Sequence, residues 1–299
     1  MVKVKSKEDK IIDTIIYILM AIVLIITLYP LYFVVIASIS EPNLVNTGRV
    51  ILYPKGITFD GYKKGFNNTE IWIGYRNTIF YTVAGTLINL VVTIPAAYAL
   101  ANKRTYGKGF FSILILVTMF FSGGMIPTYI LVGNLHMMNT IWALLLTGAA
   151  SAYNVIVART YFSTSIPPEL EEAATIDGCN TFTTFFKIVL PLSAPIIAVI
   201  ALFYGVGHWN SYFNAMIYLS DRNKFPLQVF LREILIVNQM MSTSNTFSTE
   251  EAMAMADQAR AAELVKYVIL IVATLPVMFI YPFLQKYFVK GVMVGSVKG

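Results

Sequence analysis

Apolar residues run along this chain in long blocks, neither alternating nor confined to one stripe of a helix, and such blocks predict segments buried in a bilayer. About 20 mostly apolar residues are needed to cross a hydrocarbon core of roughly 30 Å. Six stretches reach that length: Ile11–Ser38, Asn77–Ala101, Phe110–Val132, Thr140–Phe162, Leu192–Leu219 and Leu264–Gln285. None carries Asp, Glu, Lys or Arg in its middle; Asp13 stands at the entry of the first. The first apolar run is about twice a signal-peptide core, and no small-x-small cleavage site follows, so it is expected to remain as a helix. Proline and glycine punctuate the blocks at Pro95, Gly123, Gly124, Pro127, Pro195, Pro276 and Pro282. Membrane helices tolerate such residues because neighbouring helices re-satisfy the freed backbone groups. The Gly123–Pro127 segment is expected to end the third span early and leave a short interfacial helix before Asn139.

Composition agrees with the pattern. Of 299 residues, 57% are hydrophobic and only 13% charged, about half the charge of a soluble globular domain. Mean hydropathy is +0.67. Soluble enzymes, disordered tails and disulfide scaffolds are excluded, and one membrane domain remains. The single cysteine, Cys179, rules out an intrachain disulfide or a cysteine metal cluster. The net charge of +6 fits the lysine and arginine that collect in cytoplasmic loops. Nucleic acid is not an expected partner, because no basic run is interleaved with aromatics.

Orientation follows from where those positive charges sit. Lys3, Lys5, Lys7 and Lys10 precede the first span; Lys103, Arg104 and Lys108 occupy the short loop after the second; Lys286, Lys290 and Lys298 follow the sixth. Six spans then place both termini in the cytoplasm. The remaining positives sit in two long outer loops, about 40–76 and 220–263, which weigh less in this rule. Ion-coupled carriers need charged groups inside the membrane, and the spans offer none at their centres. No G-x-x-x-x-G-K-[ST] loop occurs either, so any driving nucleotide is held by another polypeptide.

The loop between the fourth and fifth spans differs from the rest. Pro167 and Pro168 suit a first helical turn, and Glu169, Glu171 and Glu172 place negative charge at the positive end of the helix dipole. Leu170, Ala173 and Ala174 form one face of little bulk, and Gly178 supplies a left-handed stop. A second helix is expected to carry Phe182, Phe185, Phe186 and Val189 on one stripe, closed by Leu190-Pro191. A small acidic helix held rigidly at the membrane surface suits the transfer of force from a docking partner.

Those residues carry a resemblance. Glu172-Ala173-Ala174, then Gly178 after three positions, then Ile188-x-Leu190-Pro191 after nine more, resembles the EAA motif of binding-protein-dependent ABC importer permeases. Smaller features resemble the maltose-type carbohydrate subclass and its LplC/YtcP-like branch. They are Tyr53-Pro-x-x-Ile57-Thr58 with Tyr62, Asn139-Thr140-x-Trp142, Trp209-Asn210-x-x-Phe213, and Gly291-x-x-x-Gly295-Ser296. The resemblance implies an all-α membrane protein with six transmembrane helices and a MetI-like permease core. It divides the chain into an N-terminal helix and outer loop (1–74), the core (75–285) with the coupling loop at 163–191, and a cytoplasmic tail (286–299). It implies ATPase coupling through Glu171, Glu172, Ala173, Ala174, Asp177, Gly178, Ile188, Leu190 and Pro191. The implied partners are a second permease subunit, two cytoplasmic ATPases that bind the ATP and magnesium, and an extracytoplasmic solute-binding protein. By the same resemblance this chain is expected to hold no cofactor, to perform no chemistry and to sit in the bacterial cell membrane.

Sugar passage calls for amides, hydroxyls and flat aromatic faces without fixed charge. Asn89, Trp209, Asn210, Tyr212 and Asn214 are the expected path residues, with Tyr98, His208 and Ser211 nearby. Asn210 and Asn214 are expected on one helix face, as an i, i+4 pair; the other reading of the group is interhelical hydrogen bonding. His136 and His208 stand apart, which argues against a metal site. The outer stretch Glu251–Asp257 is expected to form a short helix, and the outer loop to touch the solute-binding protein. The expectation is therefore an importer of oligosaccharides driven by partner ATPases. A secondary sugar carrier, an ABC permease for another solute and a non-transporting membrane sensor or scaffold are the alternatives.

Overall fold

A computed structural model describes residues 7–243, 265–279 and 282; the expected Glu251–Asp257 helix and the tail from Lys286 lie outside the described residues. Every described regular element is helical. The helices are α1 (Lys7–Ser38), α2 (Pro42–Asn46), α3 (Asp60–Asn67), α4 (Thr69–Ala101), α5 (Lys108–Phe120), α6 (Met125–Asn134), α7 (Ile141–Leu146), α8 (Ala152–Ser165), α9 (Pro168–Ile176), α10 (Thr181–Leu192), α11 (Ala194–Trp209), α12 (Phe213–Tyr218), α13 (Leu227–Thr243) and α14 (Val265–Phe279). By length and apolarity α1 and α4 can each cross a bilayer, and the bent pairs α5–α6 and α10–α11 bring the number to four.

The described residues form two compact units, 7–68 with 231–243 and 265–274, and 69–230 with 275–279. In the first unit α1 keeps its apolar side chains exposed until its last turn, where Ile36 and Ala37 pack with Val45 and Val50. The loop that follows α1 is drawn onto that end, with Tyr29 donating to the Ile51 carbonyl at 3.2 Å and Tyr32 to that of Leu52.

In the second unit α4 runs through the middle and packs on α8 and α11. Ala97 and Ala158 are fully buried among Ile94, Tyr98, Phe162, Ile196 and Ile200. Small residues there let the backbones approach, which is how membrane helices gain packing without a hydrophobic driving force. The N-terminal end of α4 is held by a clasp. Asn77 Nδ2 donates to the carbonyls of Asn223 (2.7 Å) and Phe225 (3.0 Å), Tyr81 to that of Lys224 (2.8 Å), and Leu227 N–H to Thr78 Oγ1 (2.8 Å). Asn139, at φ 56, occupies the left-handed region that asparagine tolerates. It accepts from Ser220 and Asp221 N–H, which gives the Asn139-Thr140 pair a structural task.

Three expected spans are interrupted. The third ends at Phe120 and turns through 112° into α6, as the Gly123–Pro127 segment predicts, with Gly124 at φ +87. The fourth was expected to run unbroken over Thr140–Phe162, but Thr147–Ser151 separates α7 from α8. That stretch is Thr-Gly-Ala-Ala-Ser, whose small side chains bring little packing to favour helix there, and Ser151 caps α8. The fifth was expected to run over Leu192–Leu219, but it stops at Trp209 and resumes at Phe213. Asn210 Nδ2 turns back to the Val206 carbonyl at 3.0 Å, the local bonding by which asparagine competes with helix continuation.

Candidate functional site

The acidic helix of the fourth-to-fifth loop is α9. Pro167 is its N-cap and Pro168 its first residue. Its end is a Schellman closure, with Cys179 N–H on Ala174 O (2.9 Å), Gly178 N–H on Thr175 O (3.1 Å) and Gly178 at φ +74. A Cβ at Gly178 would meet nothing within 4 Å, so glycine serves the backbone angle there. Of the small face only Ala174 is buried, at 3%; Leu170 and Ala173 are exposed.

The two adjacent carboxylates are treated differently. Glu171 is half-buried and accepts from Asn102 Nδ2 at 3.0 Å, with Tyr98 lining the same cleft. Glu172 is exposed, as is Glu169. One residue is a rotation of about 100° on a helix, and here it separates an inward carboxylate from an outward one. A second tie runs from Arg104 Nη1 to Thr175 Oγ1 (3.1 Å), and Arg104 N–H donates to Asn102 Oδ1 (2.8 Å). The turn after α4 thus holds α9 by two side chains a helical turn apart. A cleft of about 370 Å³, lined by Asn102, Arg104, Glu171, Thr175, Cys179 and Thr184, opens beside this contact. A second, of about 100 Å³, lies between Asn102, Phe162, Ile166, Glu171 and Glu172. Asn102 and Thr175 carried no signal in the sequence and Arg104 only that of a loop charge, because their contacts bridge some seventy residues.

Behind α9, α10 anchors the loop. Asn180 caps it through Thr183 N–H at 2.8 Å. The expected single stripe of four side chains does not form: Phe185 (7% exposed) and Val189 (0%) enter the core, while Phe182 (77%) and Phe186 (58%) face outward. The reason is a π turn over Phe185–Val189, with Leu190 N–H on the Phe185 carbonyl, which rewinds the face just before Pro191. Phe185 packs against Tyr98 with ring centroids 5.0 Å apart, so α9 and α10 both meet the C-terminal end of α4. Ile188 and Leu190 are half-buried, and Asp177 and Pro191 exposed. Beyond Ser193, α11 leaves α10 at 79°.

The expected path residues divide into two groups. Asn89 is fully buried, with its amide bonded to Gly148 O and His208 Nε2. Trp209 is 6% exposed and meets Tyr75 edge-on at 5.9 Å. Asn210, Tyr212 and Asn214 are exposed. Asn210 and Asn214 do not share a helix face, since the chain breaks between α11 and α12.

Comparison with known proteins follows from this geometry. Residues 71–294 match the family described as binding-protein-dependent transport system inner membrane component. Protein LplC of Bacillus subtilis is 38% identical over 92% of this chain and 90% of its own length. The polygalacturonan/rhamnogalacturonan transport system permease protein YtcP of the same organism is 38% identical over 98% of this chain and 100% of its own. Among solved structures, a chain of a bacterial ABC transporter involved in the import of the acidic polysaccharide alginate superposes with a TM-score of 0.83 at 35% identity, covering 95% of this chain and 99% of that one.

Proposed function

The chain belongs to the family of binding-protein-dependent transport system inner membrane components, and from that premise we propose that it is one of two permease subunits of an ABC importer for oligosaccharides. The observation that carries this reading is α9, an acidic helix whose Glu171 is tied to α4 through Asn102 while Glu172 faces out. An ATPase docked on the outward side moves α9, and the Asn102 and Arg104 ties pass that movement to the bundle. Two such ATPases hold the ATP and magnesium, and this chain supplies no catalytic group. The permease for polygalacturonan and rhamnogalacturonan and the alginate importer favour an oligosaccharide, with uronate-bearing chains as the first to try.

Six spans with both termini in the cytoplasm complete the reading. The loop bearing Lys103, Arg104 and Lys108 bonds α9 directly, which supports placing both on one side of the membrane, and the loop's positive charge supports the cytoplasmic side. Asn210, Tyr212 and Asn214 line the sugar path at the break between α11 and α12, with Asn89 and Trp209 packed behind them. The outer face receives the solute-binding protein.

The test is uptake of labelled oligogalacturonide by vesicles holding the assembled complex and its binding protein. Uptake is expected only with ATP inside, and Tyr212→Ala is expected to slow it about tenfold, as loss of one aromatic sugar contact of about 1–1.5 kcal/mol would. Uptake at the same rate without ATP would refute the reading in favour of a secondary carrier.

A further inference from the structure

One face of α4 carries Thr82, Thr86, Asn89 and Thr93 at spacings of four, three and four residues, a single helical seam. It packs on Tyr204, Gly205 and His208 of the antiparallel α11. Two hydrogen-bonded rungs cross from the seam to the break between α7 and α8. In one, Asn89 Nδ2 donates to Gly148 O at 2.6 Å, and Asn89 Oδ1 lies 2.7 Å from His208 Nε2. With the amide nitrogen on a carbonyl, the amide oxygen accepts and the ring nitrogen bears the proton. In the other, Ser151 N–H donates to the Tyr204 hydroxyl at 2.9 Å, and that hydroxyl shares a hydrogen bond with Thr93 Oγ1 at 2.8 Å. Backbone groups freed by a helix break inside a membrane must find partners, and the two rungs supply them at Gly148 and Ser151.

The seam is built for close approach. A Cβ on Gly85 would lie 2.5 Å from the His208 ring, and one on Gly205 would face Thr86 Oγ1 at 3.6 Å. Thr82 and Thr86 differ from the other helical threonines. Thr14, Thr128, Thr160 and Thr175 each donate to the carbonyl four residues back. The hydroxyl oxygens of Thr82 and Thr86 are buried and make no hydrogen bond among the described residues. A buried hydroxyl without a partner calls for an explanation.

We infer that Thr82 and Thr86 mark the second position of a latch. In the other conformation of the transport cycle α11 slides one turn along α4 toward its N-terminal end. His208 exchanges Asn89 for Thr86, Tyr204 takes up Asn89, and Thr82 continues the rail one turn beyond. One-turn shifts of packed elements are a known form of two-state transition. The Tyr204 hydroxyl then leaves Ser151 N–H, so movement of α11 releases the break between α7 and α8. The latch makes Thr86, His208 and Asn89 positioning residues for transport.

The inference rests on the transport reading above. Its test uses the whole complex with its ATPases, in nanodiscs with Mg-ATP and vanadate, and reads the trapped nucleotide. In the position described here Thr86 bonds nothing, so Thr86→Val is expected to leave assembly and thermal unfolding unchanged while lowering trapping about tenfold, the cost of one lost buried hydrogen bond. Thr86→Ser is expected to trap like the parent. Equal trapping by Thr86→Val and the parent would overturn the latch, and so would failed assembly of Thr86→Val, which would mean the hydroxyl is bonded at rest. A parent that traps nothing would overturn the transport reading and the latch with it.

Discussion

Reversal of one charge, Glu172→Lys, is expected to cut ATP-driven uptake at least about 100-fold while the chain stays in the membrane at its normal level. Glu172 is exposed on α9, and the helix is closed at both ends by elements the substitution does not touch, Pro167-Pro168 at the start and the Gly178 turn at the end. The variant therefore folds. What changes is the partner's view of the helix, from a carboxylate to an ammonium. Placing like charges together in a docked interface costs several kcal/mol, and about 2.7 kcal/mol already gives a hundredfold. Glu172→Ala removes the attraction without adding repulsion, so its effect is expected to be smaller. Co-purification of the ATPases reads the docking directly. Normal uptake by Glu172→Lys would remove this residue from the interface.

The neighbouring residue is expected to fail differently. Glu171→Ala should keep the ATPases bound and hydrolysing ATP, yet lower uptake about tenfold. Glu171 faces inward, where it accepts from Asn102 Nδ2 at 3.0 Å beside Tyr98, a residue only 7% exposed. Hydrogen bonds to a charged acceptor each contribute about 1.5–3 kcal/mol. Without that acceptor α9 keeps one tie, Arg104 to Thr175, and moves without carrying α4 along. Glu171→Gln retains an acceptor oxygen and is expected to fall between parent and alanine. The measurement is ATP hydrolysed per sugar taken up. A proportional fall in both activities would mean that Glu171 serves docking or folding and not transmission.

Parts of this arrangement were readable from residue order. Local signals cover short distances, and α9 is written in them: two prolines at its start, carboxylates in its first turn and a glycine at its end. The interruption of the third span was equally local, announced by Gly123, Gly124 and Pro127. The breaks in the fourth and fifth spans were hidden, because Thr-Gly-Ala-Ala-Ser and Asn-Ser-Tyr are apolar or small enough to pass as membrane helix. Their partners lie on other helices: Asn89 and Tyr204 for the first. For Asn89 the sequence leaves both the sugar path and interhelical hydrogen bonding open, since an amide in a membrane span needs a partner and a sequence does not say which. The same limit concealed the separate tasks of Glu171 and Glu172, which depend on where α4 passes. The π turn in α10 likewise escaped a reading based on a constant helical period.

Transmission through α9 is most directly tested at Cys179, the only thiol in the chain. It follows the glycine that ends α9 and lines the cleft shared with Asn102 and Arg104. The measurement is the rate at which a membrane-impermeant maleimide labels Cys179 from each face of the membrane, in the permease pair alone, with ATPases bound, and with ATPases trapped closed. Labelling is expected only from the cytoplasmic face, slowed when the ATPases dock on α9 and altered again when they close. Labelling from the outer face, or one rate in all three states, would contradict the account.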